Sequence, residues 1–495
     1  MKKVLIIGAG PAGLTAGWRL LEQAPDQYHP LIVEVQGRIG GLACTIDYKG
    51  NRLDLGGHRF FTKNREVEKA WFSLAPNHFQ KRNRISRILF MRRLFEYPIQ
   101  LSASTIAKLG LARTFSAGIS YLSAVMRKRP EHSLEDFYIN RFGTVLYRLF
   151  FEKYTEKLWG VHPHDLSPEW GAQRVKGLSL RRALTAFFSN TFRRADHTRQ
   201  ETSLIDWFYY PTLGPGQYWE QMAEVIRSKG GELALHHKVI GFDTAPTVDG
   251  SLRIVSALTH DTVTGATEHR ETDVVMSSMP IKDLIASLGE VVPPHIREIA
   301  HALPYRDFMT VGLLVDRLAL DDGADRLIPD NWIYIQEPDV ALGRIQVFNN
   351  WSQEMVASPE DTVWIGLEYF CHEGDSMWTM DDRAFVALAV GELTKLGIIE
   401  PEAVLDATVV RVQKAYPAYY GTYERLGEVR AFLDTIENLY CIGRNGQHRY
   451  NNMDHSMLTS FEAVRAVIDP DYGRSRLWSV NAEEIYHEDF SRVDR

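Results

Sequence analysis

The sequence predicts an α/β fold that carries an inserted helical region and an antiparallel β-sheet. Residues 1–36 have the pattern of a strand, a helix and a second strand, with three glycines around the first junction. Residues 44–62 alternate as a hairpin does around "YKGN", and residues 100–200 are mainly helical in pattern. Strand patterns then return in "GGELALHHKVIGFD", "TDVVMSSMP", "DFMTVGLLVD", "GRIQVFNNW" and "TVWIGLEYF". This order indicates an α/β core that the other two parts interrupt.

Length and composition agree with a folded chain of several parts. With 495 residues, of which 45% are hydrophobic, the chain exceeds one simple domain, so two or three subdomains are expected. Its net charge of −7 argues against a general nucleic-acid binder. Cys44, Cys371 and Cys441 are too few and too widely spaced for a disulfide framework or a zinc site. No metal and a reducing cytoplasm are therefore predicted.

Two apolar stretches raise the question of export or membrane insertion. "MKKVLIIGAG" lacks a small-residue cleavage pattern after a full apolar region, so it is predicted to be the first strand and not a signal peptide. Lys108 and Arg113 interrupt "ASTIAKLGLARTFSAGISYLSAVM" before it reaches the roughly 20 apolar residues that a membrane span needs. Solvated helices are predicted there. Their basic flanks, "RRLF" and "MRKR", leave contact with a membrane surface as the less favoured alternative.

The strongest motif opens the chain. In "VLIIGAGPAGLTAGWRLL", Gly8, Gly10 and Gly13 have the GxGxxG spacing between an apolar strand and a helix. The first glycine permits a tight turn, the second lets the backbone approach a pyrophosphate, and the third allows close packing of the helix. Glu34 ends the second strand 21 residues after Gly13, where a carboxylate accepts hydrogen bonds from ribose hydroxyls. We therefore predict a Rossmann-like dinucleotide-binding domain.

A second glycine motif distinguishes a flavin from a nicotinamide dinucleotide. "GRIGGLACT" follows Glu34, and its Arg38, Gly40 and Gly41 resemble the second glycine signature of the amine oxidase-like FAD superfamily. A second close approach of the backbone, together with a cation, suits a diphosphate held from both sides. FAD is therefore the predicted cofactor. The resemblance extends to "HHKVIGF", which places Val239 by the adenine, and to "LYCIGRNG" with "NNMDHSML" near the end of the chain.

The segment "GRNGQHRYNNMDHSM", residues 443–457, concentrates polar side chains between a strand-like run and a helical pattern. Asn452 suits the N-cap of the last helix, and Asp454 suits its first turn. In the superfamily that this segment resembles, the N-terminus of that helix points at the flavin pyrimidine ring. The clustered Arg444, His448, Arg449 and Tyr450 are therefore interpreted as part of the flavin site and not as a surface loop.

Several ordered motifs resemble the UDP-galactopyranose mutase family of the same FAD superfamily. "GGHRFFT" resembles that family's mobile flavin-contacting segment, with His58 at its first histidine. "EYPIQL" resembles another short segment of the same family. "YTEKLWG" places Tyr154 and Trp159 at the substrate-site tyrosine and tryptophan. Arg174 follows, offset by one residue, where the family has a diphosphate-binding arginine. The resemblance thus covers most of the chain.

Further motifs add donors to the implied substrate site. "YRDF" and "GRIQ" resemble the strands that supply two more arginines, Arg306 and Arg344. "GRNGQHRYNNMD" aligns Arg444 with the flavin-side arginine and Tyr450 with the diphosphate-binding tyrosine. Arginines and phenols suit a dianionic diphosphate, and a tryptophan offers a flat surface to a sugar or a base.

The resemblance implies an FAD-dependent mutase that interconverts pyranose and furanose forms of a nucleoside-diphosphate sugar, with the reduced flavin as nucleophile. The implied catalytic residues are His58, Arg306, Arg344 and Arg444. The implied substrate-binding residues are Tyr154, Trp159, Arg174, Arg306, Arg344 and Tyr450. The implied cofactor-binding residues are Gly8, Gly10, Ala12, Gly13, Glu34, Arg38, Gly40, Gly41, Leu42, Gly57, His58, Val239, Gly443, Arg444, Asn452 and Met453.

Departures from the family keep other functions open. Phe61 stands at the second histidine of the mobile segment, Asn452 stands at an acid, and "YYPTLGPGQYW" replaces a family motif. One alternative is an FAD-dependent oxidase or dehydrogenase, similar to protoporphyrinogen oxidase or amine oxidase, which needs an electron acceptor and little diphosphate binding. A non-catalytic nucleotide-sugar binder that retains FAD is less favoured, because the flavin-side residues are intact.

The predicted FAD-binding domain is discontinuous and takes residues 1–90, 205–300 and 430–470. A helical subdomain takes 100–200, an antiparallel-sheet substrate domain takes 300–430 with strands from 45–100, and 471–495 form a C-terminal tail. The predicted partner is a nucleoside-diphosphate sugar. An external reductant such as NAD(P)H and a homodimer are compatible with this prediction, whereas nucleic acid and a membrane span are not expected.

Overall fold

The computed structural model describes residues 1–97, 102–175, 206–248, 250–320 and 327–480. The described strands are β1 (Lys2–Ile7), β2 (Tyr28–Glu34), β3 (Thr45–Tyr48), β4 (Asn51–Asp54), β5 (Phe79–Asn83), β6 (Ser86–Phe90), β7 (Arg93–Glu96), β8 (Trp207–Pro211), β9 (Glu232–Leu235), β10 (His237–Pro246), β11 (Leu252–Asp261), β12 (Thr267–Glu271), β13 (Val274–Ser277), β14 (Tyr305–Val315), β15 (Trp332–Ile335), β16 (Arg344–Val347), β17 (Val363–Cys371), β18 (Val404–Pro417) and β19 (Leu439–Cys441).

The described α-helices are α1 (Pro11–Gln23), α2 (Arg65–Leu74), α3 (Ala103–Leu109), α4 (Leu111–Met126), α5 (Leu134–Tyr147), α6 (Lys153–Trp159), α7 (Pro168–Val175), α8 (Pro215–Ser228), α9 (Ile281–Leu288), α10 (Pro294–His301), α11 (Phe348–Trp351), α12 (Asp382–Lys395), α13 (Leu426–Asp434), α14 (Gly443–Gly446) and α15 (Met453–Ile468). A π-helical segment, Arg148–Glu152, joins α5 to α6.

The first of two compact units contains a five-stranded parallel sheet. The unit comprises Met1–Gln80, Tyr209–Tyr305 and the described residues from Lys414 onward. The strand order is β19-β13-β1-β2-β9. Side chains alternate along β1, because Val4 and Ile6 pack with α1, α8 and α15 while Leu5 and Ile7 pack with α9, α10 and α13. Both faces of the sheet are therefore covered, as a parallel sheet requires, and the predicted α/β core is confirmed.

Helix α1 begins directly after β1 because of its glycines and its proline. Gly10 is the N-cap residue, and Pro11 occupies the first helical position, where a missing N–H is tolerated. A Cβ on Gly13 would lie 1.9 Å from the carbonyl oxygen of Gly8, so only glycine allows the helix to approach the loop this closely. The strand, helix and strand predicted for residues 1–36 are confirmed.

A hairpin follows the second strand. Strands β3 and β4 pair from Thr45 opposite Asp54 to Tyr48 opposite Asn51. Lys49 and Gly50 have φ values of 54° and 83°, the left-handed geometry of a tight hairpin turn. The hairpin predicted for residues 44–62 is therefore shorter than expected. Its second strand ends at Asp54 because Gly56 follows with a φ of 150°, which a strand of L-residues does not adopt.

The second unit is built on a mixed seven-stranded sheet. Its described residues lie within Lys81–Phe208 and Arg306–Gln413. The strand order is β18-β14-β17-β16-β15-β6-β7, and β14 pairs with β17 in an antiparallel register from Asp307 opposite Cys371 to Val315 opposite Val363. Aliphatic side chains of this sheet pack against Phe385 of α12. The predicted antiparallel sheet is confirmed.

Helices α3 to α7 occupy residues 103–175 and confirm the helical prediction for that part of 100–200; residues 176–200 lie outside the described part. The prediction of one strand across "GRIQVFNNW" is wrong in its second half, because Phe348–Trp351 form α11. The Asn349 side chain accepts a hydrogen bond from Trp364 N and donates one to Thr362 O. These bonds replace the strand ladder at this point.

Among the described residues, no helix combines the length and the apolar character that crossing a membrane requires. Cys44, Cys371 and Cys441 are buried free thiols. Burial raises the pKa of Cys44 to about 11 and that of the other two to about 12, so the thiolate forms are disfavoured. The finer division into a helical subdomain, a substrate domain and a tail stays a prediction.

Candidate cofactor and substrate sites

Two glycine loops of the first unit lie against each other. A Cβ on Gly41 would lie 3.1 Å from Gly10 Cα, and the Gly40 N–H donates to the Ala9 carbonyl at 2.9 Å. Gly8 and Gly40 have φ values of 99° and 102°. The two motifs predicted from the sequence to flank a diphosphate are therefore neighbours, and their missing side chains leave backbone exposed to one another.

Glu34 holds the first glycine loop in place. Its carboxylate accepts hydrogen bonds from Ala9 N at 2.8 Å and from Gln36 N at 2.9 Å. Burial raises the pKa of Glu34, although these two backbone donors and Arg38 oppose the shift. Each carboxylate oxygen can accept a further hydrogen bond, so the predicted contact with ribose hydroxyls remains compatible with this geometry.

Arg38 supplies the test of whether the loops fit a diphosphate. Its Nε is buried, and no hydrogen-bond partner for it is found among the described residues. A buried guanidinium nitrogen without a partner is costly unless an anion completes it. Together with the Gly10 and Gly41 backbone, this cation matches the donor set that the phosphates of a flavin dinucleotide require. The residues present therefore fit that group.

The end of the first unit packs on the same helix start. A Cβ on Gly443, whose φ is 73°, would lie 2.8 Å from Ala12 Cβ. Ser460 Oγ donates to the Ala12 carbonyl at 2.7 Å, and Gly443 N donates to Thr459 Oγ1 at 2.8 Å. Two segments that are more than 400 residues apart in the sequence are thus joined, and α15 is anchored beside α1.

Arg444 fastens the loop that precedes α15. Its Nε and one Nη donate to the Asn451 carbonyl at 3.1 and 2.7 Å, and the other Nη donates to the Ala415 carbonyl at 3.1 Å. The guanidinium carbon lies 4.7 Å from the centre of the Tyr450 ring and 5.6 Å from that of Tyr416. Arg444 therefore stabilises the fold of this loop, a role that sequence reasoning did not assign to it.

The N-terminus of α15 differs in detail from the prediction. Asn452 occupies the N-cap position, but it is exposed and its side chain makes no capping hydrogen bond. Ser456 Oγ instead donates to Asn451 Oδ1 at 3.0 Å. Met453, the first helical residue, is buried. The position of Asn452 is as predicted, whereas the capping hydrogen bond is wrong, because the preceding asparagine side chain is the one that faces the helix.

His448 is a core histidine. It is fully buried with a φ of 46°, its Nε2 donates to the Ala418 carbonyl at 3.3 Å, and its ring meets that of Tyr305 edge-on at 4.6 Å. Burial lowers the pKa of His448 to about 4, so the imidazole is neutral. The described contacts of His448 are packing contacts, and its interpretation as part of the flavin site stays a prediction. Arg449 Nε is buried, and no hydrogen-bond partner for it is found among the described residues.

The remaining predicted cofactor residues are spread over the first unit. His58 is half-buried, and its ring lies 3.3 Å from the position of a Cβ on Gly56. Gly57 is exposed, and Leu42 is half-buried in a short 3-10 turn. Val239 is buried in the same core as Val33, at a register shift in β10. Val33 immediately precedes Glu34, so Val239 packs close to the end of β2.

In the second unit, two predicted substrate residues come together. Arg344 Nη2 lies 2.8 Å from Glu368 Oε2, with the Glu368 side chain 1% exposed and the Arg344 side chain 22% exposed. Tyr154 meets Tyr334 edge-on at 6.3 Å. Burial raises the pKa of Tyr154, and the Arg344 charge partly opposes that shift, so the phenol is a neutral donor beside a cation. This pairing is the donor set that the sequence predicted for a diphosphate.

Arg306 is in a different situation. It is 6% exposed, and its guanidinium donates to the carbonyls of Leu158 at 2.9 Å, Phe370 at 2.9 Å and Lys157 at 3.4 Å. Gly160, the left-handed C-cap of α6, is packed against it, because a Cβ there would lie 2.7 Å from Arg306 Nη1. Arg306 therefore satisfies the last carbonyls of α6 and positions the "YTEKLWG" segment.

Trp159 and Arg174 complete the predicted substrate set. Trp159 is 4% exposed and meets Trp170 edge-on at 4.4 Å. Its ring is consequently a packing element of the second unit. Arg174 lies in α7, and its side chain is outside the described part of the chain.

Comparisons with known proteins bear on both units. The NAD(P)-binding Rossmann-like domain family matches residues 6–74. The crystal structure of a reduced UDP-galactopyranose mutase matches 98% of this chain and 96% of that chain, with a TM-score of 0.80 and 22% identity. The chain has the fold of UDP-galactopyranose mutase.

Two further proteins are similar to the chain, one over most of its length and one over a short segment. A protein from Exiguobacterium sp. 255-15 assigned as a protoporphyrinogen oxidase matches 94% of this chain and 98% of that chain, with a TM-score of 0.68 and 16% identity. Polyamine oxidase 1 of Oryza sativa subsp. japonica is 35% identical over 54 residues, which are 11% of this chain and 10% of that oxidase. The predicted likeness to the UDP-galactopyranose mutase fold is therefore confirmed at the level of fold.

Within this UDP-galactopyranose mutase fold, sequence reasoning missed three groups. Glu368 holds Arg344, and it is the one acid in the otherwise uncharged, largely apolar run "TVWIGLEYF". Lys157 Nζ donates to three carbonyls, those of Ile335, Glu337 and Leu342, and burial lowers its pKa to about 8. Asp54 accepts hydrogen bonds from Tyr210 and Thr45 in the interior of the first unit. No sequence spacing distinguishes the last two from surface charges.

Proposed function

We propose that the chain is an FAD-dependent nucleotide-sugar mutase that interconverts the pyranose and furanose forms of a nucleoside-diphosphate sugar. The observation that carries this proposal is the extent of the likeness to UDP-galactopyranose mutase, which covers 98% of the chain at a TM-score of 0.80. The corresponding score for the Exiguobacterium protein is 0.68. Fold alone does not define function, so the residues of each unit supply the remaining support.

The first unit supports binding of FAD. The backbone of Gly8, Gly10 and Gly41 and the guanidinium of Arg38 would hold the diphosphate, and Glu34 would accept the ribose hydroxyls. Bound and reduced, FAD supplies an electron-rich nitrogen nucleophile that oxidised flavin lacks. The N-terminus of α15, beside Ala12, would favour negative charge on the reduced isoalloxazine ring.

The second unit supports binding of a diphosphate. The reaction breaks the bond between the anomeric carbon and the diphosphate, the electron pair leaves with the diphosphate, and the same bond forms again after ring contraction. No net oxidation occurs. Arg344, held by buried Glu368, and the neutral phenol of Tyr154 would stabilise the charge on the departing diphosphate. Tyr450 and Arg174 remain proposed ligands of the diphosphate, and His58 remains a proposed contact of the flavin.

Arg306 takes a different role from the one that the family resemblance implied. Its buried guanidinium already binds three backbone carbonyls, so we propose it as a positioning residue for Tyr154 and not as a diphosphate ligand. Arg444 likewise acts on the flavin site through the loop that it fastens.

One experiment separates a mutase from an oxidoreductase. Purified protein under anaerobic conditions would receive a catalytic amount of dithionite and then UDP-, dTDP- or GDP-sugars. Because the isomerisation returns every electron, many turnovers should follow each reduction, without stoichiometric use of NAD(P)H and without peroxide. If air-oxidised protein isomerises the sugar as fast as reduced protein, or if product forms only with matching oxygen uptake, the mutase proposal is wrong.

The second candidate function is an FAD-dependent oxidase or dehydrogenase. The local likeness to polyamine oxidase 1 and the burial of Trp159, whose ring packs edge-on against Trp170, favour it. An amine substrate of such an enzyme should bleach the flavin absorbance anaerobically and should consume oxygen mole for mole in air. No nucleoside-diphosphate sugar should perturb the flavin spectrum in that case.

A further inference from the structure

Helix α4 of the second unit exposes its large apolar side chains. The exposed fractions are 79% for Leu111, 72% for Phe115, 55% for Ile119, 60% for Leu122, 48% for Val125 and 78% for Met126. At about 100° per residue, these six positions fall within an arc of about 120° on one face of the helix. A monomeric soluble protein seldom leaves so continuous an apolar stripe in water, so this stripe, residues 111–126, marks an interaction surface.

The opposite face of α4 is what the fold buries, and it carries small residues. Ala117 and Ala124 are 7% and 8% exposed. At the Gly143 kink of α5, a Cβ would lie 2.7 Å from Tyr121 N, so the two helices are in backbone contact. An ordinary surface helix packs its large apolar residues inward, whereas α4 packs its small residues inward and presents the large ones outward. Packing among the described residues of the unit therefore does not explain the stripe.

The charge around the stripe is unlike that of the chain as a whole. Residues 97–130 contain five basic residues and no Asp or Glu, although the chain has a net charge of −7. Arg127, Lys128 and Arg129 directly follow Met126 at the end of the helix and are all exposed. Arg127 and Arg129 also line a groove of about 840 Å³ between α4 and α5, together with Phe115 and Ile139. Cations therefore border the apolar stripe at its C-terminal end.

We propose that α4 docks the protein on the surface of an anionic phospholipid bilayer. The stripe would enter the boundary between head groups and acyl chains, while Arg127 and Lys128 would meet the lipid phosphates. Arg129 lies 3.9 Å from Asp136 of α5, so its charge is partly balanced within the protein. A second copy of the chain is a poorer occupant, because it would present the same segment, which has cations and no acids and is not complementary to itself. A helix of this kind lies on a membrane and does not cross it.

The test is flotation of the full chain with vesicles. The protein would be mixed with vesicles of phosphatidylcholine alone or of phosphatidylcholine with phosphatidylglycerol in equal parts. We expect binding to the anionic vesicles that weakens as salt rises. The variant Phe115→Ser, Leu122→Ser, Met126→Ser should lower the partition coefficient roughly tenfold or more. The variant Arg127→Gln, Lys128→Gln should lower it roughly fivefold for each charge removed.

A matched variant controls for the general loss of exposed apolar area. Ile240→Ser, Val263→Ser, Leu405→Ser changes three residues that are 41%, 69% and 55% exposed elsewhere, and it should bind vesicles as the unchanged protein does. All variants should keep the melting temperature of the parent. Two results would overturn the proposal: a parent protein that does not float with anionic vesicles, or a parent dimer in size-exclusion chromatography that the stripe variant dissociates while vesicle binding is absent.

Discussion

Arg344 and Glu368 form an ion pair of 2.8 Å in which the carboxylate is buried and the guanidinium is partly exposed. Gln346 Nε2 donates to the other carboxylate oxygen at 3.0 Å, so Glu368 is fixed by two neighbours. Burial raises the pKa of Glu368, and Arg344 opposes this shift. The interior acid thereby orients a partly exposed cation whose charge also acts on Tyr154.

The first prediction separates the stabilising role of Arg344 from its proposed binding role. Arg344→Ala should cost about 3–5 kcal/mol of unfolding free energy, because it leaves the buried Glu368 charge unpaired. The double variant Arg344→Ala, Glu368→Gln should regain most of that stability but should still bind a nucleotide sugar about 1.5–3 kcal/mol more weakly than the parent. Urea unfolding and titration calorimetry measure the two quantities. Exposed Arg383→Ala is the control, and full affinity in the double variant would exclude Arg344 as a ligand.

The second prediction distinguishes two glycines of the same motif. A Cβ on Gly10 would have Gly41 Cα, at 3.7 Å, as its nearest neighbour, so Gly10→Ala should have the same melting temperature as the parent. The variant should nevertheless lose FAD, because its methyl group fills the space through which the backbone approaches the pyrophosphate. Gly13→Ala should lower the unfolding free energy by about 3 kcal/mol, because its Cβ would clash with the carbonyl oxygen of Gly8. Thermal unfolding measures the stability of each variant, and the ratio of flavin to protein absorbance measures its FAD content. Gly391→Ala, in open space on α12, is the control. Full flavin content in Gly10→Ala would refute the fingerprint.

The third prediction concerns the contact of Arg306 with the end of α6. Arg306→Ala should lower the unfolding free energy by on the order of 3 kcal/mol, because the buried carbonyls of Leu158 and Phe370 lose their hydrogen-bond donor. Arg306→Ala should also weaken nucleotide-sugar binding, because Arg306 is proposed to position Tyr154, and Gly160→Ala should weaken that binding in the same way without a change in charge. Gly397→Ala is its matched control, since Gly397 has a similar φ of 68° but no atom within 4 Å. Equal behaviour of the two glycine variants would show that the Arg306 contact is unimportant.

The fourth prediction is a pH dependence that originates at Asp54. Burial raises the pKa of Asp54 to about 7 from 3.8, although Tyr210 and Thr45 donate hydrogen bonds that oppose the shift. The folded chain therefore holds this proton more tightly than the unfolded chain does. The resulting stabilisation is complete below about pH 4 and is lost as the pH rises to about 7.

Asp54→Asn removes this proton site and keeps the shape. The unfolding free energy of the parent, measured relative to Asp54→Asn by urea titration, should fall by up to about 4 kcal/mol between about pH 4 and about pH 7.5. Other titrating groups cancel in the difference. A constant difference across this range would mean that Asp54 is ionised in the folded protein throughout.

Local sequence patterns were sufficient to predict the first strands and the first helix of the first unit. The alternation in β1, the glycine spacing before α1 and the acid at the end of β2 each depend on neighbours within a few residues, so they can be read along the chain. The same holds for the antiparallel strands β14 and β17, which are unbroken runs of residues that favour β-strands. The fold class, the position of Asn452 at a helix start and the neighbouring roles of Gly10 and Gly41 followed from such patterns.

Tertiary structure alone decided what the polar residues do. Arg306 and Arg344 read alike in the sequence, yet one donates to interior carbonyls and the other is partly exposed beside a buried acid. His448 and Asn452 are near neighbours, yet one is neutral in the core and the other is exposed. The physical reason is that a hydrogen bond or a pKa shift depends on groups that other segments bring within a few ångströms, and on how much water they exclude. Sequence spacing records neither quantity, whereas it does record the period of a strand or a helix.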